Sequence, residues 1–272
     1  MIRRALAAFS FSLIFPLILI APASAAQCGG SFQAFLGQMA HDAEAQGISP
    51  RVIHTAFAGL TVDYGVLRFD HAQHGTFNES FEKFAATRVT RARLVRAAKL
   101  MHRHAALLAR IEQRFGVPKE LLMAIWTMES DNGTGDMGHL PVVRTLATLA
   151  HDCRRSDLFQ RELIAALRIL QRGDLPMSQL IGANAGEIGQ TQFLPSSYIK
   201  YGVDFDGDGR VDLRHSVADV LASTANLLKV NGWHAGQPYG EGTENFEVMR
   251  EWNRSQVYRK ALVLFAQKLA GR

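Results

Sequence analysis

Apolar residues recur every three or four positions along most of this chain, which is the period of an α-helix and not of a strand. Residues 90–115 show it best, at Leu94, Ala97, Ala98, Met101, Ala105, Leu108 and Ile111. β-Branched residues do not alternate with polar residues over a useful length, so no segment has the pattern of a half-buried strand. The sequence therefore predicts a mainly α fold.

The breaks in this periodicity define the predicted helices. Residues 31–57 form two helices separated by the Gly-Ile-Ser-Pro break at 47–50, and residues 90–115 form one long helix whose arginines lie on a solvated face. Further helices are predicted at residues 118–129, 145–151, 157–171, 195–201, 216–231 and 255–269. The glycine-rich connections between them are where functional residues are expected, because binding groups concentrate in loops.

Residues 1–25 have the three parts of a secretory signal peptide. Arg3 and Arg4 supply the positive charge, an apolar run extends to Ile20, and the Ala-Ser-Ala sequence at 23–25 is a small-residue cleavage site. No later stretch is apolar for long enough to span a bilayer, so we expect an exported, soluble protein that begins near Ala26.

Two cysteines, Cys28 and Cys153, remain after this segment. An oxidising compartment would permit them to pair, but their wide separation leaves both a disulfide and two free thiols open. Cys28 lies just after the apolar run, yet Gln27 before it fits a lipid-anchor signal poorly, so we expect no lipoprotein.

The charge of the chain argues against one class of partner. It carries 30 Lys and Arg residues against 25 Asp and Glu, a formal net charge of +5. This mild excess would favour contact with an anionic polymer, but without a basic patch interleaved with aromatic residues we expect no nucleic-acid binding. The roughly 245 residues after the signal peptide are enough for one large domain or two tightly joined lobes.

Glu129 stands at the end of an apolar helix. Pro118 suits the first turn of that helix. The apolar face that follows comprises Leu121, Leu122, Ile125 and Met128. Partial burial there would raise the pKa of the Glu129 carboxyl group toward the range in which it donates a proton near neutrality. Glu129 is therefore a candidate general acid, and the alternative is an ordinary solvated glutamate at a helix end.

A glycine-rich segment spans residues 182–198. Its three glycines within eight residues would let backbone approach a ligand closely. Gln190, Thr191 and Gln192 supply neutral donors and acceptors that suit sugar hydroxyls and acetamides. We interpret the segment as one wall of a carbohydrate cleft, and the alternative is a tight structural turn.

Residues 204–212 form an acidic loop. Asp204, Asp206 and Asp208 occupy positions 1, 3 and 5 of a calcium-binding pattern, with glycine at position 6. The carbonyl group of Arg210 stands at position 7. This spacing directs alternate oxygen ligands at one hard cation.

The acidic loop departs from the usual pattern at its end. His215 stands at position 12, where a bidentate glutamate is usual. Asp219, on the next predicted helix, could close the site instead. We expect a bound divalent cation with a structural role, and the alternative is an aspartate-rich solvated turn.

Four motifs, in the same order from about Phe32 to the end, resemble the lytic murein transglycosylase B family. They are Met-Glu-Ser-Asp-Asn-Gly around Glu129, residues 185–198, residues 203–209, and Trp-Asn-Arg-Ser-Gln-Val-Tyr at 252–258. The resemblance implies one catalytic domain over residues 26–272, with a lysozyme-like helical core at about 110–235 flanked by helices from both ends of the chain. It also implies a periplasmic location, a monomer, and peptidoglycan glycan strands as the partner.

The resemblance carries roles to individual residues. Glu129 is implied as the sole catalytic acid and base. Implied substrate-binding residues are Arg154, Arg155, Gln192, Asn253 and Tyr258, and implied Ca²⁺ ligands are Asp204, Asp206, Asp208, Arg210 and Asp219. No organic cofactor is implied.

Five residues depart from the family pattern. Ala183 replaces a usual serine, Phe84 and Leu227 stand where tyrosines are frequent, Glu187 replaces a small residue, and Trp252 replaces a frequent tyrosine. A hydroxyl lost near the substrate acetamide would affect rate or subsite preference more than the type of reaction.

The resemblance implies non-hydrolytic cleavage that forms 1,6-anhydromuramic acid. Ordinary glycosidases need two carboxylates, whereas this chain offers one well-placed candidate, which is consistent with assistance by the substrate's own N-acetyl group. A hydrolytic muramidase with Asp131 or Glu187 as second carboxylate remains an alternative. A non-catalytic peptidoglycan-binding protein is another.

Overall fold

The computed structural model describes residues 26–73 and 79–271 of the chain. The predicted signal peptide lies outside these residues. Within them the protein is mainly helical, and the mainly α prediction is confirmed.

The helices and strands follow one another along the chain, and the longest connection between them spans residues 202–216. The helices are α1 (Phe32–Ala45), α2 (Pro50–Phe57), α3 (Tyr64–Ala72), α4 (Phe81–Arg88), α5 (Arg91–Arg103), α6 (Ala105–Phe115), α7 (Lys119–Ser130), α8 (Val142–His151), α9 (Ser156–Arg172), α10 (Pro195–Tyr201), α11 (Val217–Val230), α12 (Glu244–Val248) and α13 (Gln256–Leu269). The strands β1 (Leu140–Pro141) and β2 (Ile181–Gly182) pair in antiparallel fashion. Two short 3-10 helices span Met177–Gln179 and Met249–Glu251.

Local capping sets many of the helix starts. A side-chain oxygen just before the helix accepts a backbone N–H of the first turn, which satisfies donors that have no partner within the helix. These capping residues are Ser31, Ser49, Asp63, Ser80, Thr90, Ser216, Thr243 and Ser255. The short polar residues that interrupt the apolar periodicity therefore act as start signals.

The single helix predicted over residues 90–115 is wrong. The chain forms α5 and α6 instead, and they meet at His104, whose backbone leaves helical geometry with φ −99° and ψ 19°. The His104 ring lies edge-on to Trp126 of α7, with the ring centroids 6.1 Å apart. The break lets α5 pack on α7 while α6 packs on both α7 and α11, which one straight helix could not do.

Helix α7 lies at the centre of the molecule. Every residue from Leu121 to Met128 is buried, and not only the single face that periodicity predicted. A helix that is apolar on all sides belongs in a core. Helices α5, α6, α11 and α13 pack around it, so α7 is enclosed on several sides.

A disulfide joins Cys28 to Cys153, with their Cα atoms 5.3 Å apart. The sequence left this pairing open. The same N-terminal segment is also bound by Gln160 of α9, whose side chain donates to Ala26 O at 2.7 Å and accepts from Ala26 N at 3.0 Å. The start of the described chain is therefore anchored to the α8–α9 region.

Over the described ranges, the structure contains no helix with both the length and the apolar character needed to cross a bilayer.

Candidate active site

Glu129 lies in the last turn of α7. Its neighbours Met128 and Ser130 are buried, whereas Glu129 itself remains partly accessible. The helix ends directly after it, because Asp131 adopts the left-handed conformation with φ 49°. Glu129 is thus a carboxyl group set in an apolar wall but open to a cleft on one side.

Two donors from the C-terminal part of the chain hold the Glu129 side chain. The indole Nε1–H of Trp252 donates to Glu129 Oε1 at 3.1 Å. The hydroxyl group of Tyr258, on α13, donates to the same oxygen. Tyr258 was expected to contact substrate by resemblance, and the structure places its hydroxyl on the candidate acid.

Burial raises the pKa of Glu129 above its usual value. The hydrogen bonds from Tyr258 and Trp252 favour the carboxylate and oppose this rise, while the negative charge of Glu187 adds to it. Burial and the charge of Glu129 in turn raise the pKa of Tyr258 well above its usual value. Glu129 therefore has the environment of a proton donor, and Tyr258 stays protonated as a hydrogen-bond donor.

Asp131 is held by two arginines of α5. It accepts a hydrogen bond from Arg93 Nε at 2.7 Å and one from Arg96 at 3.0 Å. The bond from Arg93 holds the pKa of Asp131 below its usual range. The expectation that the arginines of this segment form only a solvated face is wrong for Arg93, whose side chain is 13% exposed.

The glycines of the glycine-rich segment serve the packing of the protein itself. A Cβ atom on Gly182 would lie 2.0 Å from Glu187 O, and one on Gly189 would lie 2.1 Å from Leu213 O. Real Cβ atoms do not approach so closely. The glycines were predicted to let backbone approach a ligand, but at these two positions the closely approaching group is the protein's own backbone.

Two of the three polar residues in this segment face inward. Thr191 and Gln190 are buried, and the Gln190 amide links α7 to the acidic-loop region by accepting from Trp126 Nε1 at 2.7 Å and donating to Arg214 O at 2.8 Å. The expectation that Gln190 and Thr191 present groups to a sugar is wrong, because their polar atoms are enclosed.

Gln192 has a different setting. It is only partly buried and adopts a left-handed backbone with φ 54°. Such a conformation costs a residue of this type about 1 kcal/mol or more, and strain of this kind gathers at functional sites. The Gln192 amide nitrogen donates to Gly189 O at 2.9 Å, and this hydrogen bond ties the side chain to the backbone of the same segment.

A cavity of about 370 Å³ opens beside Tyr258. It is lined by Phe84, Arg88, Met128, Asn253, Ser255 and Tyr258. Asn253 Oδ1 accepts a hydrogen bond from Ser255 N at 2.9 Å, so the turn before α13 positions it. The cavity lies next to Glu129 because Met128 and Tyr258 flank both.

Arg154 and Arg155 bind Asp70, a buried residue of α3. Arg154 Nε donates to Asp70 Oδ2 at 2.8 Å, and Arg155 donates to Asp70 Oδ1. Burial alone would raise the pKa of Asp70, but the bonds and charges of the two arginines outweigh it and lower that pKa. The side chains of Arg154 and Arg155 are 38% and 43% exposed, so both remain partly accessible to solvent.

The acidic loop brings together Asp204, Asp206 and Asp219, with one carboxylate oxygen from each within 4.8 Å of the others. Asp219 is fully buried, and burial raises its pKa. Asp208 turns away and binds Arg210 at 3.1 Å. Three converging carboxylates fit a hard divalent cation, which would offset their mutual repulsion.

The structure also shows the surroundings of two other residues that depart from the family pattern. Leu227 of α11 is buried in the core. The Phe84 ring packs against that of Tyr258, with centroids 6.1 Å apart.

Sequence reasoning missed three residues that hold site groups in place: Trp252 as a donor to Glu129, Arg93 as the partner of Asp131, and Asp70 as the partner of the paired arginines. Trp252 carried a signal, because it lies in the motif of Asn253 and Tyr258. Arg93 and Asp70 carried none, since their partners lie 38 and 84 or more positions away.

Comparisons with known proteins identify the family of the chain. A family model described as the transglycosylase SLT domain matches residues 31–243. Membrane-bound lytic murein transglycosylase B of Escherichia coli (strain K12) is 38% identical over 130 residues, which cover 47% of this chain and 36% of that protein. The match thus spans little more than a third of that curated relative.

Solved structures resemble the whole fold. SltB3 from Pseudomonas aeruginosa, in complex with NAG-NAM-pentapeptide, is 32% identical with a TM-score of 0.83, covering 90% of this chain and 81% of SltB3. Escherichia coli Slt35 in complex with calcium has a TM-score of 0.76 at 24% identity, covering 95% and 98%, and supports the fold alone. The lysozyme-like helical fold implied by the sequence is confirmed. Because the family model covers most of the chain, this protein belongs to the transglycosylase SLT domain family.

Proposed function

We propose that this protein is a peptidoglycan lytic transglycosylase. It cleaves the β-1,4 bond between N-acetylmuramic acid and N-acetylglucosamine without water and leaves a 1,6-anhydromuramic acid end. The observation that carries this proposal is Glu129, a carboxyl group with a raised pKa, held by Tyr258 and Trp252 beside an open cavity. The substrate class is supported by the relative SltB3, whose structure contains NAG-NAM-pentapeptide.

In the first step Glu129 acts as general acid. Its proton moves to the glycosidic oxygen, and the bond from that oxygen to the muramic C1 breaks with its electron pair going to the leaving oxygen. The carbonyl oxygen of the muramic N-acetyl group bonds to C1 as the leaving group departs. Burial against α7 raises the pKa of Glu129, which favours the protonated form that this step needs.

In the second step Glu129 acts as general base. The carboxylate takes the proton of the muramic C6 hydroxyl group, the C6 oxygen bonds to C1, and the bond from C1 to the N-acetyl oxygen breaks. The ring closes and Glu129 regains the proton it lost. One carboxyl group therefore suffices, because the substrate supplies the nucleophile.

A hydrolytic muramidase is the second candidate, and it needs a second carboxylate. Asp131 is unsuited to that role because its carboxylate forms ion pairs with Arg93 and Arg96. Glu187 is the better candidate, since its charge acts on Glu129 and its carboxylate is tied only locally, to Ala185 N at 2.9 Å. A non-catalytic peptidoglycan-binding protein would not need the raised pKa of Glu129.

The remaining site residues have proposed binding roles. Asn253, which lines the cavity, and the partly exposed Gln192 offer amide groups to sugar hydroxyls and acetamides. Arg154 and Arg155, whose side chains are partly exposed, offer positive charge to anionic parts of the polymer. Tyr258 acts by donating a hydrogen bond to Glu129 rather than by binding substrate.

The acidic loop is proposed to hold one Ca²⁺ ion. The carboxylate oxygens would come from Asp204, Asp206 and Asp219. Further candidate ligands are Asp208 and the Arg210 carbonyl group, which would need the loop to change its conformation. The ion would supply positive charge that ties the loop to the start of α11. No step of the reaction uses it.

We further propose an exported, monomeric protein that acts in the periplasm. The Cys28–Cys153 disulfide supports export, because such bonds form and persist in oxidising compartments. A lipid anchor on Cys28 would need the sulfur atom that this disulfide uses.

Release of soluble fragments from purified sacculi tests the catalytic role. Glu129→Gln keeps the size of the side chain and an oxygen for both donors, but it cannot give up a proton. We expect its release rate to fall by about a hundredfold to ten-thousandfold, since the loss of general acid catalysis in the first step alone costs about that much. Glu120→Gln, on the first turn of the same helix, is the matched control and should retain activity. Normal release by Glu129→Gln would overturn the assignment.

A further inference from the structure

The two oxygens of the Glu129 carboxyl group have unequal surroundings. Trp252 Nε1–H and the Tyr258 hydroxyl both donate to Oε1. They reach it from adjacent parts of the chain, the turn before α13 and the first turn of α13. Two donors on one atom raise the question of which oxygen carries the proton in the acid form.

The chemistry of indole decides between the two oxygens. A protonated carboxyl group has one O–H, which donates, and one oxygen that only accepts. An indole N–H can donate but cannot accept. A proton on Oε1 would point a second donor into the region of the Trp252 N–H, whereas a proton on Oε2 leaves both hydrogen bonds to Oε1 intact.

We propose that Glu129 carries its transferable proton on Oε2, and that Trp252 is the positioning residue that enforces this choice. Tyr258 alone would not enforce it, because a hydroxyl group can rotate and accept a hydrogen bond as readily as donate one. The indole N–H of Trp252 can only donate, so it disfavours a proton on Oε1.

Packing fixes Trp252 in place. Its ring lies against Phe193, with centroids 5.6 Å apart, and its backbone N–H donates to Met249 O at 3.1 Å. The indole is therefore held between the end of the glycine-rich segment and the 3-10 helix at Met249–Glu251. A donor held this way keeps one direction, as a positioning role requires.

The consequence for the reaction rests on the proposed function. Oε2 gives its proton to the glycosidic oxygen as the C1–oxygen bond breaks, and Oε2 later receives the proton of the C6 hydroxyl group. Oε1 keeps both hydrogen bonds throughout. The carboxyl group need not rotate between its acid and base roles, because one oxygen performs both transfers.

Other charged groups around Glu129 bear on any pH measurement. Glu187, from the glycine-rich segment, disfavours the carboxylate, and Arg93 of α5 acts on Tyr258. The hydrogen bonds from Trp252 and Tyr258 favour it. Removal of the Trp252 donor alone should therefore move the pKa of Glu129 upward.

Infrared spectroscopy of the substrate-free protein tests the oxygen assignment directly. The carbonyl stretch of protonated Glu129 is isolated as the band that Glu129→Gln removes. If Oε1 is the carbonyl oxygen, Trp252→Phe removes a hydrogen bond from it, and the stretch moves to higher frequency. Trp233→Phe is the matched control, because its indole donates to Gly116 O, and it should leave the band in place. An unchanged or lowered frequency in Trp252→Phe overturns the proposal.

The pH dependence of the same infrared band reports the pKa of Glu129 and gives a second test. The Trp252 hydrogen bond favours the carboxylate, so its loss should raise the pKa of Glu129. Tyr258→Phe serves if Trp252→Phe does not fold, since it removes the other donor to the same oxygen and should also raise the frequency. A Tyr258→Phe band at the wild-type frequency or below it overturns the proposal.

Failure of the proposed function would look different. The infrared measurement needs no turnover, so a protein that proved to be a hydrolase would still show the Trp252 effect. Conversely, anhydro products with an unchanged carbonyl stretch in Trp252→Phe would leave the function standing and overturn the oxygen assignment.

Discussion

Removal of the Cys28–Cys153 disulfide should cost much of the protein's stability. The bridge joins residues separated by 125 positions, so it closes a large loop in the unfolded chain. In the chain-entropy model, a loop of that length corresponds to about 5 kcal/mol at 25 °C. Native disulfides typically contribute about 2–5 kcal/mol, so we expect a loss of about 3–5 kcal/mol for Cys28→Ala with Cys153→Ala.

Neighbouring contacts limit the local damage. The bonds from Gln160 to Ala26, and the 2.9 Å bond from Gly29 N to His151 O, remain possible without the bridge. The native structure should therefore persist while the unfolded state gains entropy. Since a domain is stable by only about 5–15 kcal/mol, the expected loss is a large part of the total.

Equilibrium unfolding in urea measures this loss. The midpoint should fall in the double variant, and wild-type protein treated with a thiol reductant should unfold at the same midpoint as the variant. A loss below about 1 kcal/mol, or a reductant without effect on the wild type, would refute the reasoning that the bridge limits the unfolded chain.

Three further predictions concern charged groups. Glu187→Gln removes a charge that raises the pKa of Glu129, so the alkaline limb of the rate–pH profile should move to lower pH, and a limb that stays or moves upward contradicts this. Because the pKa of Glu129 is raised in the folded state, the wild type loses stability as pH rises from the unfolded value through the folded one. Glu129→Gln should therefore raise the melting temperature relative to wild type more at pH 8 than at pH 4, and equal differences would count against a buried carboxylate. Added Ca²⁺ should raise the melting temperature of wild type but much less that of Asp219→Asn, and an equal rise in both would place the ion elsewhere.

Local sequence signals predicted most of the helices. Apolar periodicity and capping residues act within a few positions of each other, so the starts at Ser49 and Ser255 follow from the sequence. The break at His104 did not, because it depends on packing against Trp126 of another helix. A periodic pattern that continues through a break is indistinguishable from one long helix.

The sequence predicted the central residue of the candidate site but not the residues that hold the site groups in place. Glu129 was evident from the end of the apolar pattern and the motif around it. Its donor Trp252 lies 123 positions away, and the Arg93 partner of Asp131 lies 38 positions away, so only the fold brings them together. The segment at 182–198 was recognised as glycine-rich, but sequence could not tell that Gly189 packs against Leu213 instead of a ligand.

The central claim is that Glu129 performs both proton transfers and that water takes no part. Digestion of purified peptidoglycan in H₂¹⁸O, followed by mass spectrometry of the released muropeptides, tests it most directly. We predict products with 1,6-anhydromuramic ends, lighter by one water than hydrolysis products and free of ¹⁸O. Reducing ends that carry ¹⁸O would contradict the account and identify the enzyme as a hydrolase.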